Sequence, residues 1–136
     1  MGLRTALREL GLRAKDFSVV QYSAYTTAKR TSALDSWWRS SPVRTADAVP
    51  PRHVNGRCTV AMDAQEVTER LAGSYEYGHK VRIKYGDPAV IEGVVVWYGS
   101  NETFGNGENH ITECILRTRG GYYYFTDRAL MWCRVY

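Results

Sequence analysis

The sequence predicts an α+β protein whose C-terminal half is an antiparallel β-sheet or small barrel of about five strands. Three observations carry that reading. A period of two begins in residues 80–85, where Val81, Ile83 and Tyr85 share one face and Lys80, Arg82 and Lys84 the other. A nearly unbroken apolar run follows in residues 89–98, and glycine-centred turns then recur at short intervals. With 136 residues, 44% of them hydrophobic and 24% charged, the chain falls in the range of one globular domain, residues 1–136.

Residues 1–57 read as a basic N-terminal helix followed by an arm, and residues 58–136 as the β-rich core. In residues 3–10, Leu3, Ala6, Leu7 and Leu10 recur at helical spacing, and Gly11 is placed to end the helix. Residues 16–27 are rich in β-branched and aromatic side chains, which favours a strand; Phe17, Val20 and Ala24 would also share one side of a helix, so both assignments stand. Pro42, Pro50 and Pro51 break any period in residues 29–54, leaving an extended arm expected to pack on the sheet, with room for a helical turn or two in residues 31–39. Residues 56–62 read as a strand with Cys58, Val60 and Met62 on one face. Asp63 and Glu66 have capping-box spacing, so a short capped helix is expected over 64–72, with Ala64, Val67 and Leu71 inward and Gly73 as its end.

Five strands are expected after it, at 80–85, 89–98, 111–119, 122–125 and 129–135. Gly93 reads as a bulge or bend, residues 99–110 as a polar loop, and Gly120-Gly121 as a hairpin turn. A helix followed by five short antiparallel strands, bent in the second, resembles the outline of SH3-like and Sm-like small barrels. The resemblance covers about half the chain, is one of topology, and brings no site residues with it.

The net charge of +4 is unevenly distributed. Residues 1–57 hold ten Lys/Arg against Glu9, Asp16, Asp35 and Asp47, giving +6; the rest holds eight against ten acids, giving −2. Arginine outnumbers lysine 14 to 4, and arginine is the better bidentate partner for phosphate or carboxylate. This basic part is either a solvated face or the footprint of an anionic partner. The longest apolar run, residues 94–98, falls far short of the roughly 20 residues that span a bilayer, and Arg4, Arg8, Glu9 and Arg13 interrupt any secretory segment. The expectation is no membrane association and a cytoplasmic location, or the virion if the protein is viral. The three cysteines, Cys58, Cys114 and Cys133, form no close pair and are expected to be reduced and buried.

No metal-ligand spacing, nucleophile elbow or phosphate loop is present, so no catalytic, cofactor or metal residue is assigned and the expectation is a protein that is not an enzyme. Two surfaces remain. Trp37, Trp38 and Arg39 in the arm, with Phe104 and Asn106 in the 99–110 loop, have the residue types of interface anchors. Tyr122 and Tyr124 must lie on the face opposite Tyr123 and Phe125. If exposed, they would form a base-stacking platform rimmed by Arg117, Arg119 and Arg128; if residues 1–57 cover that face, they are core. The leading expectation is a non-catalytic assembly or adaptor protein that binds a protein partner or itself through arm and loop, resembling viral and phage connector or tail components at the level of architecture. A basic, small-barrel module that binds nucleic acid is the alternative, and a small protein inhibitor of another macromolecule a second one.

Overall fold

The computed structural model describes residues 2–22, 42–48, 53–54, 57–58, 63–86, 89–102, 108–126, 129–130 and 133–136. Helix α1 (Leu3–Glu9) leads through a 3-10 turn (Ala14–Asp16) into β1 (Phe17–Tyr22). Next come β2 (Arg44–Ala48), the two-residue strands β3 (His53–Val54) and β4 (Arg57–Cys58), and helix α2 (Ala64–Tyr77). The chain ends in β5 (Val81–Lys84), β6 (Val90–Glu102), β7 (Asn109–Thr118), β8 (Gly121–Phe125) and β9 (Arg134–Val135). Seven strands form one curled, half-barrel sheet in the order β2-β1-β8-β7-β6-β5-β9, while β3 and β4, among the described residues, pair with each other.

The sheet therefore has seven strands where about five were expected. Five strands from the C-terminal half run antiparallel, but β1 adds parallel to β8, and β2 parallel to β1. The barrel does not close among the described residues, because β2 and β9 stand at opposite edges. Residues 17–22 are strand, not helix; β2 falls within the segment expected to be an irregular arm. The last expected strand, 129–135, begins instead as a helical turn at 129–130 and becomes strand only at Arg134. There Thr126 Oγ1 accepts from the Ala129 N–H at 3.3 Å, which starts the turn.

Both faces of the sheet are covered. On one, α2 and residues 129–130 pack Val67, Leu71, Ala129 and Leu130 against Val20, Val95, Leu116 and Phe125. On the other, Leu3, Ala6 and Leu7 of α1 pack against Phe17, Val19, Trp97, Ile115 and Tyr124. Two-sided burial explains why β6 reads as a continuous apolar run instead of an alternating one. It also requires each residue to choose a side, and an irregularity does this. Val95 lies opposite Leu116 and Trp97 opposite Ile115, so Val96 is an extra residue that bulges β6 and sends Trp97 towards α1. The bulge is thus three residues beyond Gly93, where one was expected. Gly93 answers a different need: a Cβ there would lie 2.2 Å from the Arg117 carbonyl oxygen, so only glycine allows β7 so close.

Helix α2 is longer than the expected 64–72. It runs to Tyr77, and Gly78 at φ 75° closes it in the left-handed conformation that glycine tolerates. At its start the Asp63 carboxylate accepts from the Gln65 N–H at 3.1 Å, while Glu66 turns to Arg70 at 2.9 Å instead of reaching back. That exposed ion pair contributes little stability.

Ser74, buried in the last turn of α2, has a specific task. The register sets Val81 opposite Gly93, so one more step of the ladder would bring His79 opposite Val95. The Ser74 hydroxyl stands there instead: it accepts from the Val95 N–H at 3.0 Å and donates to the His79 carbonyl. Replacing Ser74 with alanine leaves a buried N–H without its acceptor and is expected to destabilise the protein by about 1–3 kcal/mol; an unchanged urea midpoint would remove this role. Gly73, one residue earlier, has nothing within 4 Å of the place a Cβ would occupy. Gly73→Ala is accordingly expected to raise stability by about 0.5–1 kcal/mol in the same titration, because it lowers the entropic cost of the helix.

Candidate binding groove

Of the residues singled out in the sequence, Trp37, Trp38, Arg39, Phe104, Asn106 and Arg128 lie outside the described residues. The remaining four lie together at the β7–β8 hairpin. Arg117 and Arg119 are exposed, Tyr122 is half-buried, and Tyr124 is buried at 5% exposure beneath α1. The Tyr124 hydroxyl donates to Glu113 Oε1 at 3.4 Å. The N-terminal helix thus covers the face on which a two-tyrosine platform would have stood. Tyr123 and Phe125 are on the other side, packed with the α2 core, where Phe125 meets Tyr85 edge-on at 6.0 Å.

A different aromatic surface emerges at the end of α2. Tyr75 and Tyr77 are 51% and 73% exposed. Tyr75 meets Tyr98 of β6 edge-to-face, with ring centroids 5.1 Å apart at 89°, and Tyr77 leans on His79 at 5.8 Å. Beside them is an open groove of about 440 Å³. Ala6 and Glu9 of α1, with Leu10 just beyond its end, form one wall, Tyr75 of α2 the other, and Val96, Trp97 and Tyr98 of β6 the floor.

The position of this groove follows from the sheet. Helices α1 and α2 cover opposite faces, so a cleft that touches both must lie at an edge. That edge is the far part of β6: β5 pairs with residues 90–93 only, and residues 94–102 have β7 on one side and no strand on the other among the described residues. Sequence reasoning missed it because the helix was taken to stop at Gly73, which hid that Tyr75 is helical. One signal was present, since the expected strand 80–85 is much shorter than the 89–98 run it pairs with.

Among the described residues no three His, Cys, Asp or Glu side chains converge as a metal site would require. His110 is a single buried imidazole, its Nε2 3.4 Å from Glu108 Oε2 and its Nδ1 without a hydrogen-bond partner. No described helix is long and apolar enough to cross a membrane. Comparisons with protein-family models, curated proteins and solved structures find no match to this chain.

Cys114 and Cys133 are free thiols in the α2-side core. Burial pushes Cys133 from the ordinary 9.0 up to about 12, and its Sγ donates to the Ala129 carbonyl at 3.1 Å. Burial first, then the neighbouring Cys133 and Glu113, raise Cys114 as well. Because the folded-state values lie above the unfolded ones, the stabilisation is complete below about pH 9 and is lost as the pH climbs towards 12. At pH 8 both thiols should resist iodoacetamide in the native protein and react in guanidinium, as read by peptide mapping, which separates them from Cys58. Rapid native labelling of either would contradict their burial.

Proposed function

We propose that this chain is a non-catalytic assembly or adaptor protein that holds a protein partner in the groove at the β6 edge. One observation carries the reading: exposed Tyr75, half-buried Tyr98 and residues 96–97 of β6 meet in a cleft left open between two helices. Aromatic side chains at a concave site are typical anchors of protein interfaces, combining large contact area with small entropic cost. Trp37, Trp38 and Arg39, with Phe104 and Asn106, are further candidate contacts of the same partner. This architecture, a half-barrel sheet with a basic N-terminal segment, is also compatible with a structural component of a larger assembly, as in phage connectors.

The nucleic-acid reading retains exposed Arg117 and Arg119 beside Tyr122. Burial of Tyr124 weakens it, because successive bases need successive exposed rings. Selection of phage-displayed random peptides on the immobilised protein, with an oligonucleotide pool run in parallel at low salt, tests the two together. The expected result is a peptide consensus that disappears on Tyr75→Ala, with no oligonucleotide retained. Retention that falls steeply with salt and is lost on Arg117→Ala with Arg119→Ala, without any peptide consensus, would replace the protein-binding reading with the nucleic-acid one.

A further inference from the structure

We infer that the groove takes an extended peptide as an added β-strand, paired through its backbone with β6 in the space that β5 leaves, with a lysine or arginine of the peptide facing Glu9. This rests on the protein-binding reading and specifies the form and charge of the partner.

The form follows from the edge. β6 has thirteen residues and β5 four, so the ladder on that side stops where α2 turns into β5. The Val95 N–H is taken by Ser74, and beyond it residues 96–101 offer an edge with no neighbouring strand among the described residues. Sheets protect such edges with lysine, proline or a covering element. Residues 94–102 contain neither lysine nor proline. Two irregularities interrupt this stretch, the extra residue Val96 and a register shift between Gly99 and Ser100, and Glu102 is its one charged residue; Trp97 and Tyr98 lie on opposite sides of the strand. A strand laid along this edge would have Trp97 and Leu10 below one face and Tyr75 with Tyr98 beside the other. Its alternate side chains would meet the two walls in turn, as strand-addition sites require. A helical peptide satisfies its own backbone and would leave the edge unused. The chain already completes an edge in this way at the other side of β5, where Arg82 and Tyr136 exchange backbone hydrogen bonds of 3.2 and 2.8 Å.

The charge follows from the lining. Glu9 is the one charged residue that lines the groove, and it makes no ion pair among the described residues. Glu76 follows Tyr75 at the same end of α2 and is exposed. A cation opposite Glu9 is favoured there over an anion, chiefly as a matter of selectivity.

Three synthetic peptides test the inference by calorimetry and amide hydrogen exchange. The first alternates valine and lysine over about six residues, the length of the open edge. The second is the same peptide N-methylated at alternate amides on its β6-facing side, and the third has glutamate in place of lysine. The valine–lysine peptide is expected to bind and to slow exchange at amides within residues 96–101. N-methylation should weaken binding by about tenfold or more, as lost backbone hydrogen bonds require. Glutamate should also weaken it, and Glu9→Lys should reverse the preference. Tyr75→Ala, at an exposed position, should weaken binding several-fold with an unchanged circular dichroism spectrum. Equal binding of the N-methylated peptide would overturn strand addition while leaving a protein-binding groove in place. Failure of all three peptides to bind would overturn the inference whatever the phage selection yields, and oligonucleotide retention without a peptide consensus would remove the reading beneath it. A dimer in light scattering whose β6 amides are already protected would assign the edge to a second copy and overturn it too.

Discussion

The hydroxyl of Ser74 stands between a backbone group of β6 and one of the short link that leads into β5, and much of the molecule's shape depends on that position. The Val95 N–H and the His79 carbonyl are held at the spacing of a side chain instead of the spacing of a direct bond. β5 and β6 therefore separate at this rung. The gap that opens is kept from collapsing by α1 on one face and by the tyrosines at the end of α2 on the other.

Covering both faces gives the sheet its stability and also its division of labour. The α2 side holds the larger cluster, with both free thiols and the helical turn before β9. The α1 side is smaller and depends on Trp97, whose direction is set by the extra residue at Val96. The helices that cover the two faces differ in charge: Arg4 and Arg8 outnumber Glu9 on α1, whereas Glu66, Glu69 and Glu76 outnumber Arg70 on α2. The groove lies where these two surfaces meet, so Glu9 is an acid on an otherwise basic helix. That local exception, not the net charge of +4, is what a bound segment would meet first.

Local chemistry made much of the framework legible. The period-two run at Val81 and Ile83, the Leu3-Ala6-Leu7 stripe and the alternation of Tyr122 to Phe125 each determine a burial pattern that the folded chain obeys. What was not legible depends on partners far away in sequence. β2 has only Ala46 and Ala48 in place of a clear apolar alternation, and its stability comes from lying beside β1. Nothing in the residues of β1 announces that it enters the sheet parallel to β8. Gly73 misled for a related reason: a glycine inside a helix is tolerated where packing elsewhere fixes the helix, and Val67, Leu71 and Ser74 do so. The groove was hidden by the combination, since it needs the true end of α2, the early end of β5 and the position of α1 at once.

The parallel entry of β1 also orders events in time. Phe17 pairs with Tyr122, 105 residues later, and Val20 with Phe125. A chain emerging from the ribosome has made its N-terminal strand long before either neighbour in the C-terminal half exists. The hairpins β5–β6, β6–β7 and β7–β8 involve much shorter separations and can form among themselves, so the meander is the natural nucleus and β1 the late arrival. Until that arrival, the basic N-terminal segment is tethered but undocked, and Ile115 and Tyr124 lack the cover that α1 gives them. Assembly of the groove is therefore coupled to a long-range pairing: the wall that carries Glu9 has its place only once β1 has met β8.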